Sequence, residues 1–476
     1  MKNTTATRRE FLTTLGLGVL SLGLANCAGP VSLLGKRPRG EDAKPNFIII
    51  FTDDQGYNDL GCFGSETIKT PRIDQMAREG MKLTSFYAQP VCGPARCSLL
   101  TGCYPERVKG FGSHSLVHWG VAPDEITIAE ILRQTGYATA CIGKWDLSYR
   151  RFEPEMGPND QGFDYYFGTL RANDAGKVTL WRNKEELQET DDMGALTGMY
   201  TDEALQFIAE KKDQPFFLYL AHTMPHAKLG ASEKFRGKSE NGLYGDVIEE
   251  IDWNTGRILD RVRELNLENK TYIVFLSDNG PWLILGNDGG SAKPLRDGKG
   301  SSWEGGVRVP CIVWGPGRVP AGAQSNELAA TLDILPTFAA LAGATAPSDR
   351  VIDGRDQSAL ITGKTNKSAR DTFYYYVGGN LHAVRQGQWK LALPDRKRSY
   401  AFAKDDPPIT QPELYDMGND IEEKHDVSAD HSGVVKGLLR LADKAREDLG
   451  DLMTLGKNSR RTMDNITQRY PPSARP

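Results

Sequence analysis

Short apolar runs recur along the chain, each closing on polar residues, with helically spaced segments between them. "NFIIIFTDD" (Asn46 to Asp54) has an unbroken apolar centre rather than an alternating one, which reads as a strand buried on both faces. "TPRIDQMAREG" reads as a helix with Thr70 as N-cap, Pro71 at the first helical position and Gly80 as the stop. "TIAEILRQTGY" carries Thr127 and Glu130 as a capping box, with Ile128, Ile131, Leu132 and Thr135 on one face. "YATACIGKW" is the next strand. "PFFLYLAH" and "TYIVFLSDNG" read as central strands of a largely parallel sheet, separated by the helical "YGDVIEEIDWNTGRILDRVREL". Strand and helix in repetition predict an α/β fold with helices on both faces of the sheet.

The texture changes after about residue 345. "TAPSDRVIDGRDQSALITGKTNKSARDT" is polar and turn-rich; "TFYYYV" and "LHAVRQGQWKLALP" then read as antiparallel strands, and a charged helical segment follows. The fold class expected is α/β: a large mixed, mostly parallel sheet sandwiched by helices, with a smaller C-terminal α+β subdomain containing an antiparallel sheet. The boundaries expected are 44–370 for the main domain and 371–476 for the subdomain.

Composition adds limits. The 476 residues are 39% hydrophobic and 25% charged, which suffices for a large core, and 50 glycines and 26 prolines favour turns over bundled helices. A net charge of -4 gives no general attraction to nucleic acid, and no nucleic-acid partner is expected; an anionic substrate would need a local basic pocket. Residues 1–28 read as an export signal, because Arg8 and Arg9 precede an apolar run too short to span a membrane. Paired arginines there point to twin-arginine export, with an ordinary export signal as the alternative. "LANC" (Leu24 to Cys27) raises lipidation at Cys27, against which Asn26 counts. The protein is therefore expected to be exported, periplasmic or secreted, and lipid-anchored if Cys27 is processed. Loss of Cys27 with the signal leaves six cysteines, which would suit disulfides; no CxxC pair supports a zinc site.

Chemistry collects at strand ends, where open α/β sheets bind ligands. Asp53 and Asp54 close the first strand, and Ser277-Asp278-Asn279-Gly280 close the "TYIVFL" strand. Adjacent carboxylates repel unless a cation sits between them, and such hard oxygen ligands suit calcium or magnesium. In "VCGPARCSLLTG", Pro94 fits a first helical turn, which places Cys92 just before a helix beginning near Ala95. A helix N-terminus with Arg96 beside it favours an oxyanion. A disulfide, a metal ligand and a nucleophile all remain open for Cys92 on these grounds.

"CGPAR" followed by "CSLLTG" resembles the signature of the type I, formylglycine-dependent sulfatases of the alkaline phosphatase superfamily. "FIIIFTDDQGYNDLG", "IGKWDLS", "QGFDYYFG", "HTMPHAK", "FLSDNG", "RDGKGSSWEGGVRVP" and "WKLALP…ELYDM" extend the resemblance over nearly the whole chain in family order. It implies that Cys92 is the precursor of formylglycine, made by a formylglycine-generating maturation enzyme. It further implies that Asp53, Asp54, Asp278 and Asn279, with modified Cys92, hold a divalent metal, usually calcium. Arg96 would position the aldehyde hydrate, whose one hydroxyl attacks sulfur while the other later expels sulfate. Lys144 and Lys299 would grip the sulfate oxygens, and His226 would act near the leaving oxygen. His222 would be a substrate-side or packing residue. One departure stands out: the motif commonly reads G-K-W-H-L-G, and "GKWDLS" puts Asp146 where the histidine would bind sulfate. Asp146 would then bind sugar hydroxyls or an amine of the substrate, or lower activity. With the export signal, the resemblance implies an exported sulfatase acting on sulfate esters, those of sulfated saccharides. Two other readings compete: a phosphodiester or phosphonate monoester hydrolase, and a non-catalytic glycan-binding relative. Ser113, His114 and His118 form a loop that would touch substrate or lie on the surface.

Overall fold

The computed structural model describes residues 44–109, 120–148, 156–394, 409–451 and 454–461. The export signal, with Arg8, Arg9 and Cys27, and the loop of Ser113, His114 and His118 lie outside these residues.

A ten-stranded sheet organises the main domain, in the order Ala323–Ser325, Met81–Leu83, Cys311–Trp314, Thr271–Ser277, Asn46–Thr52, Phe216–Ala221, Ala138–Lys144, Tyr165–Thr169, Val178–Arg182 and Glu185–Thr190. From Thr271–Ser277 to Tyr165–Thr169 neighbouring strands are parallel. Antiparallel pairings begin beyond them on either side. The unbroken apolar run of the first strand is explained by side chains of period two. Phe47, Ile49 and Phe51 enter one hydrophobic core, while Ile48 and Ile50 enter another on the opposite face. Helices Cys92–Thr101, Ile128–Gln134 and Ile334–Leu341 cover the first face; Pro71–Glu79, Leu196–Glu210 and Gly242–Glu264 cover the second.

The capping box of Thr127 and Glu130 forms in both directions. Thr70 precedes its helix but does not cap it, because its hydroxyl donates to Asp74 and accepts from the Gly61 N–H. Asp252, from the helix Gly242–Glu264, takes that role by accepting from the Arg72 and Ile73 N–H groups. A four-stranded antiparallel sheet of Thr372–Val377, Asn380–Gln386, Trp389–Ala392 and Glu413–Asp416 forms the C-terminal part. The helix Ser432–Leu449 packs on it through Leu438, Ala442, Ala445 and Leu449. All described cysteines, Cys62, Cys92, Cys97, Cys103, Cys141 and Cys311, are free thiols, so the disulfides that their even number allowed do not form. Cys97 and Cys103 pack in the core instead of pairing.

Candidate functional site

Register decides what meets at one end of the sheet. Thr52 pairs with Ser277, Phe51 with Ala221, and Gly143 with Ala221. Asp53-Asp54, Asp278-Asn279, His222 and Lys144 therefore emerge together at the carboxyl edge. Gly143 permits this: it has φ +108, and a Cβ there would stand 1.8 Å from the Ala221 carbonyl oxygen.

The helix Cys92–Thr101 starts at Cys92 itself, one turn earlier than the placement near Ala95. Val91 is the extended N-cap, and its carbonyl already accepts from the Ala95 N–H at 3.0 Å. Pro94 is harmless inside that first turn, where no N–H is needed. Cys92 Sγ lies 3.2 Å from Asp53 Oδ1 and 3.9 Å from Asp54 Oδ1. One ligand atom from each of Asp53, Asp54, Cys92 and His226 falls within 4.8 Å of the others, so His226 joins the set that the sequence proposed for a metal.

Cations enclose these acids. Arg96, one helical turn from Cys92 and fully buried, donates to Asp53 Oδ2 and Asp278 Oδ2, each at 3.1 Å. Its other amino group donates to the Lys144 carbonyl at 2.8 Å and the Tyr219 hydroxyl at 3.3 Å. Lys144 Nζ is 2.5 Å from Asp53 Oδ2, and Lys299 Nζ is 2.7 Å from the Asp54 carboxylate. The Lys299 loop is tied down by backbone bonds from Lys299 to Pro281 and from Gly300 to Pro90, each an N–H donating to a carbonyl. Burial raises the Asp53 carboxyl, but Lys144, His226, Arg96 and Lys299 outweigh it and hold it well below the usual range. Asp278 is pushed up to about 7 by burial and by Asp53. Burial, with Asp278 and Asp53, pushes the Cys92 thiol well above its ordinary pKa, which disfavours a free thiolate there.

His226 has a defined tautomer. Asn173 Nδ2 donates to the His226 and Lys228 carbonyls, which turns Asn173 Oδ1 toward His226 Nδ1 at 3.0 Å. The Ala227 carbonyl is 2.6 Å from the same nitrogen. Two acceptors there assign the proton to Nδ1, and Nε2 faces Asp54 and Asp174, each at 3.7 Å. Burial and Lys299 keep the ring's pKa below its ordinary value. His222 is held down to about 4 by burial, and its Nδ1 has no partner among the described residues. No described hydrogen bond or ion pair links the His222 ring to the cluster. Asp146 takes a left-handed backbone, φ 53, and turns Oδ2 to 3.8 Å from Lys144 Nζ.

The donor set fits a divalent cation. Asp53 and Asp54 present oxygens side by side, and Asn279 donates to Asp54 Oδ1 at 2.7 Å while its own Oδ1 is buried with no hydrogen-bond partner. Such an orphan acceptor is costly without a cation or donor. Asp53 faces Arg96 and Lys144 directly, Asp278 faces Arg96 and Asp54 faces Lys299, and a divalent ion among them would add positive charge on the side where an oxyanion would bind.

Asn173, Asp174 and Trp282 were not legible as site residues. Asn173-Asp174 reads as a turn, and Trp282, with its ring 5.4 Å from that of His226, follows a strand end without any spacing signal.

The family model described as Sulfatase matches residues 45–344. The chain belongs to the sulfatase family. A second model, described as N-sulphoglucosamine sulphohydrolase, C-terminal, matches residues 298–446 of this sulfatase. N-acetylgalactosamine-6-sulfatase of Canis lupus familiaris is 37% identical over 389 residues, covering 76% of this chain and 74% of the relative. A solved structure from work on the metabolism of multiple glycosaminoglycans by Bacteroides thetaiotaomicron has a TM-score of 0.77 and 28% identity, covering 85% of this chain and 99% of its own. The structure of Ps i-CgsB in complex with k-i-k-neocarrahexaose has a TM-score of 0.71 and 31% identity, covering 84% and 92%. The sulfatase hydrolyses sulfate esters, and its fold is that of these structural neighbours.

Proposed function

We propose that this sulfatase is exported and removes sulfate from sulfated carbohydrate, using formylglycine derived from Cys92 and one calcium ion. The observation that carries the reading is the place of Cys92 Sγ, 3.2 Å from Asp53 and at the head of a helix whose Arg96 grips Asp53 and Asp278. A modified residue at this position would meet carboxylate oxygens on one side and the guanidinium of Arg96 on the other. The carbohydrate part is supported by the names and complexes of the relatives, among them a neocarrahexaose complex. Export rests on Arg8 and Arg9 before the apolar run.

Asp53, Asp54, Asp278 and Asn279 would hold the calcium with the modified residue. The hydrated aldehyde supplies a nucleophilic hydroxyl and a second hydroxyl through which sulfate can be expelled, and the ion supplies Lewis acidity. Lys144 and Lys299 stand to hold sulfate oxygens as charge builds, and their fixed ammonium groups need no reorganisation to do so. Arg96 orients the first turn of the helix and with it residue 92. His226, with Nδ1–H committed to Ala227 and Asn173, presents Nε2, which would take up a proton to form the imidazolium and give that proton to the leaving oxygen.

Mass spectrometry of the peptide bearing Cys92, after expression with a maturation enzyme, should show the aldehyde or its hydrate. Turnover should be lost in Cys92→Ala with the fold intact. A fully active preparation holding only unmodified Cys92 would overturn the mechanism. Turnover of an aryl phosphate diester above that of an aryl sulfate would favour the phosphodiesterase reading. Sulfated glycan binding without sulfate release would favour a glycan-binding relative.

A further inference from the structure

The C-terminal sheet meets the main domain over a buried charged cluster that the site around Cys92 does not include. Glu304, with no exposure, is its centre. Lys390 Nζ lies 3.1 Å from Glu304 Oε1, Arg308 Nη1 3.4 Å from Oε2, and Arg385 Nη1 3.8 Å from Oε2. The Tyr375 hydroxyl donates to Oε1 at 3.0 Å, and the Tyr87 hydroxyl bridges Glu304 and Arg385. Lys390 also meets Glu423 Oε1 at 2.6 Å. Among the described residues three cations thus share two carboxylates. Buried charge left unmatched is expensive, and the excess here is positive.

Arg308 and Arg385, 6% and 5% exposed, also line a groove of about 770 Å³ between the two parts of the chain. Two further cations on this groove are already satisfied: Arg370 by Asp333 at 2.6 Å and Lys367 by Glu327 at 3.1 Å. Asp371 is the lining carboxylate with no ion-pair partner among the described residues, and it lies on the exposed rim rather than beside Glu304. The groove floor therefore presents two guanidinium groups whose one shared carboxylate also serves Lys390.

We propose that this groove is a second oxyanion site, taking a sulfate group of an extended sulfated saccharide other than the sulfate at Cys92. The inference rests on the carbohydrate reading above. Arg308 Nε donates to the Thr84 carbonyl at 2.7 Å and Arg385 Nε to the Gly387 carbonyl at 2.9 Å, so their Nη2 groups are the donors available to an oxyanion. One monoanion brings the described cluster to charge balance. A site of this kind would make affinity depend on saccharide length and on its sulfation beyond the ester being cleaved.

The test uses the full chain with Cys92→Ala, so that bound saccharide is not consumed, in calorimetric titrations with calcium present. The probes are a tetrasaccharide sulfated on alternate residues, its monosulfated monosaccharide, and inorganic sulfate. The tetrasaccharide should bind about tenfold more tightly than the monosaccharide, a step worth one decade of Kd. Arg385→Gln, which removes a cation of the floor, and Lys367→Glu, which sets a second carboxylate beside Glu327 on the groove, should each remove most of that advantage and leave monosaccharide affinity unchanged. Lys367 is three-quarters exposed, so its variant keeps the core intact if Arg385→Gln fails to fold. Inorganic sulfate should fill two sites on the parent and one on Arg385→Gln. Retention of both the tetrasaccharide advantage and the parent's sulfate stoichiometry in folded variants overturns the site. Should no sulfated saccharide bind while the second sulfate disappears with Arg385, the oxyanion site stands and the carbohydrate reading falls.

Discussion

Lys144 Nζ stands 2.5 Å from Asp53 Oδ2, and the pair ties together two strands that are not neighbours, since Phe216–Ala221 runs between them. Both side chains are fully buried, so each depends on the other for charge compensation. Lys144→Met should lower kcat on an aryl sulfate by about 100-fold or more, the usual cost of losing one fixed donor to a developing oxyanion. It should also lower Tm, because Asp53 then loses its closest cation and keeps Arg96 as its one remaining ion pair among the described residues, with Lys299 and His226 farther off. Steady-state kinetics with a melting curve would check both, and an unchanged kcat would remove Lys144 from the chemistry.

Calcium should stabilise as well as activate. Chelation should lower Tm and abolish turnover, and calcium should restore both better than zinc if the oxygens of Asp53, Asp54, Asp278 and Asn279, with formylglycine in place of the Cys92 thiol, are the ligands. Asn279→Ala deletes the buried acceptor that lacks a partner. Its calcium midpoint, read from Tm against calcium concentration, should rise about tenfold, the scale of one lost ligand. An unshifted midpoint would exclude Asn279 as a ligand.

Asp146 and Asp174 approach the cluster from two sides, one 3.8 Å from Lys144 and the other 3.7 Å from His226 Nε2. Carboxylates accept hydrogen bonds from hydroxyls but offer a sulfate nothing, so both suit the sugar rather than the ester. Asp146→Ala and Asp174→Ala should each cost about 1–3 kcal/mol in kcat/KM on a sulfated saccharide. Both should spare or improve an aryl sulfate, which has no hydroxyls to bind. Equal losses on both substrates would instead place these residues in the reaction itself.

Asp252 gives a pH dependence away from the active site. It is 3% exposed and caps the helix Pro71–Glu79, and burial pushes its carboxyl up to about 7 from 3.8. A folded-state pKa above the unfolded one means that the folded chain binds the proton more tightly. This contribution is fully present below about pH 4 and is lost as pH rises through about 7. Asp252→Asn keeps an acceptor oxygen and removes the titration. Its Tm should therefore gain on the parent's between these limits, by a stability difference of about 1–4 kcal/mol. Parallel curves for parent and variant would contradict this.

Local order along the chain was enough for the fold class and for the elements that carry the site. Unbroken apolar runs announced central strands because burial on both faces leaves no polar alternation, and Thr127 with Glu130 announced a helix start because a capping box is a local bond pattern. Asp53, Asp54, Asp278 and Asn279 were legible for a similar reason, because strand ends are local events with their own residue types, whereas Cys92 was singled out among three alternatives only by the resemblance to the sulfatases. Relations between distant segments were another matter. That Thr70 yields its cap to Asp252, that cysteines even in number stay reduced, and that Asp174 and Trp282 face His226 depend on which segments fold side by side. The cluster around Glu304 joins strands and helices that are far apart in sequence. The sequence by itself determined the elements and the chemistry available at their ends, because propensity, capping and burial act over a few residues. Only the tertiary structure decided the tautomer of His226, the partner of each charge and the groove beneath the C-terminal sheet, because those follow from register and packing between strands that no local pattern encodes.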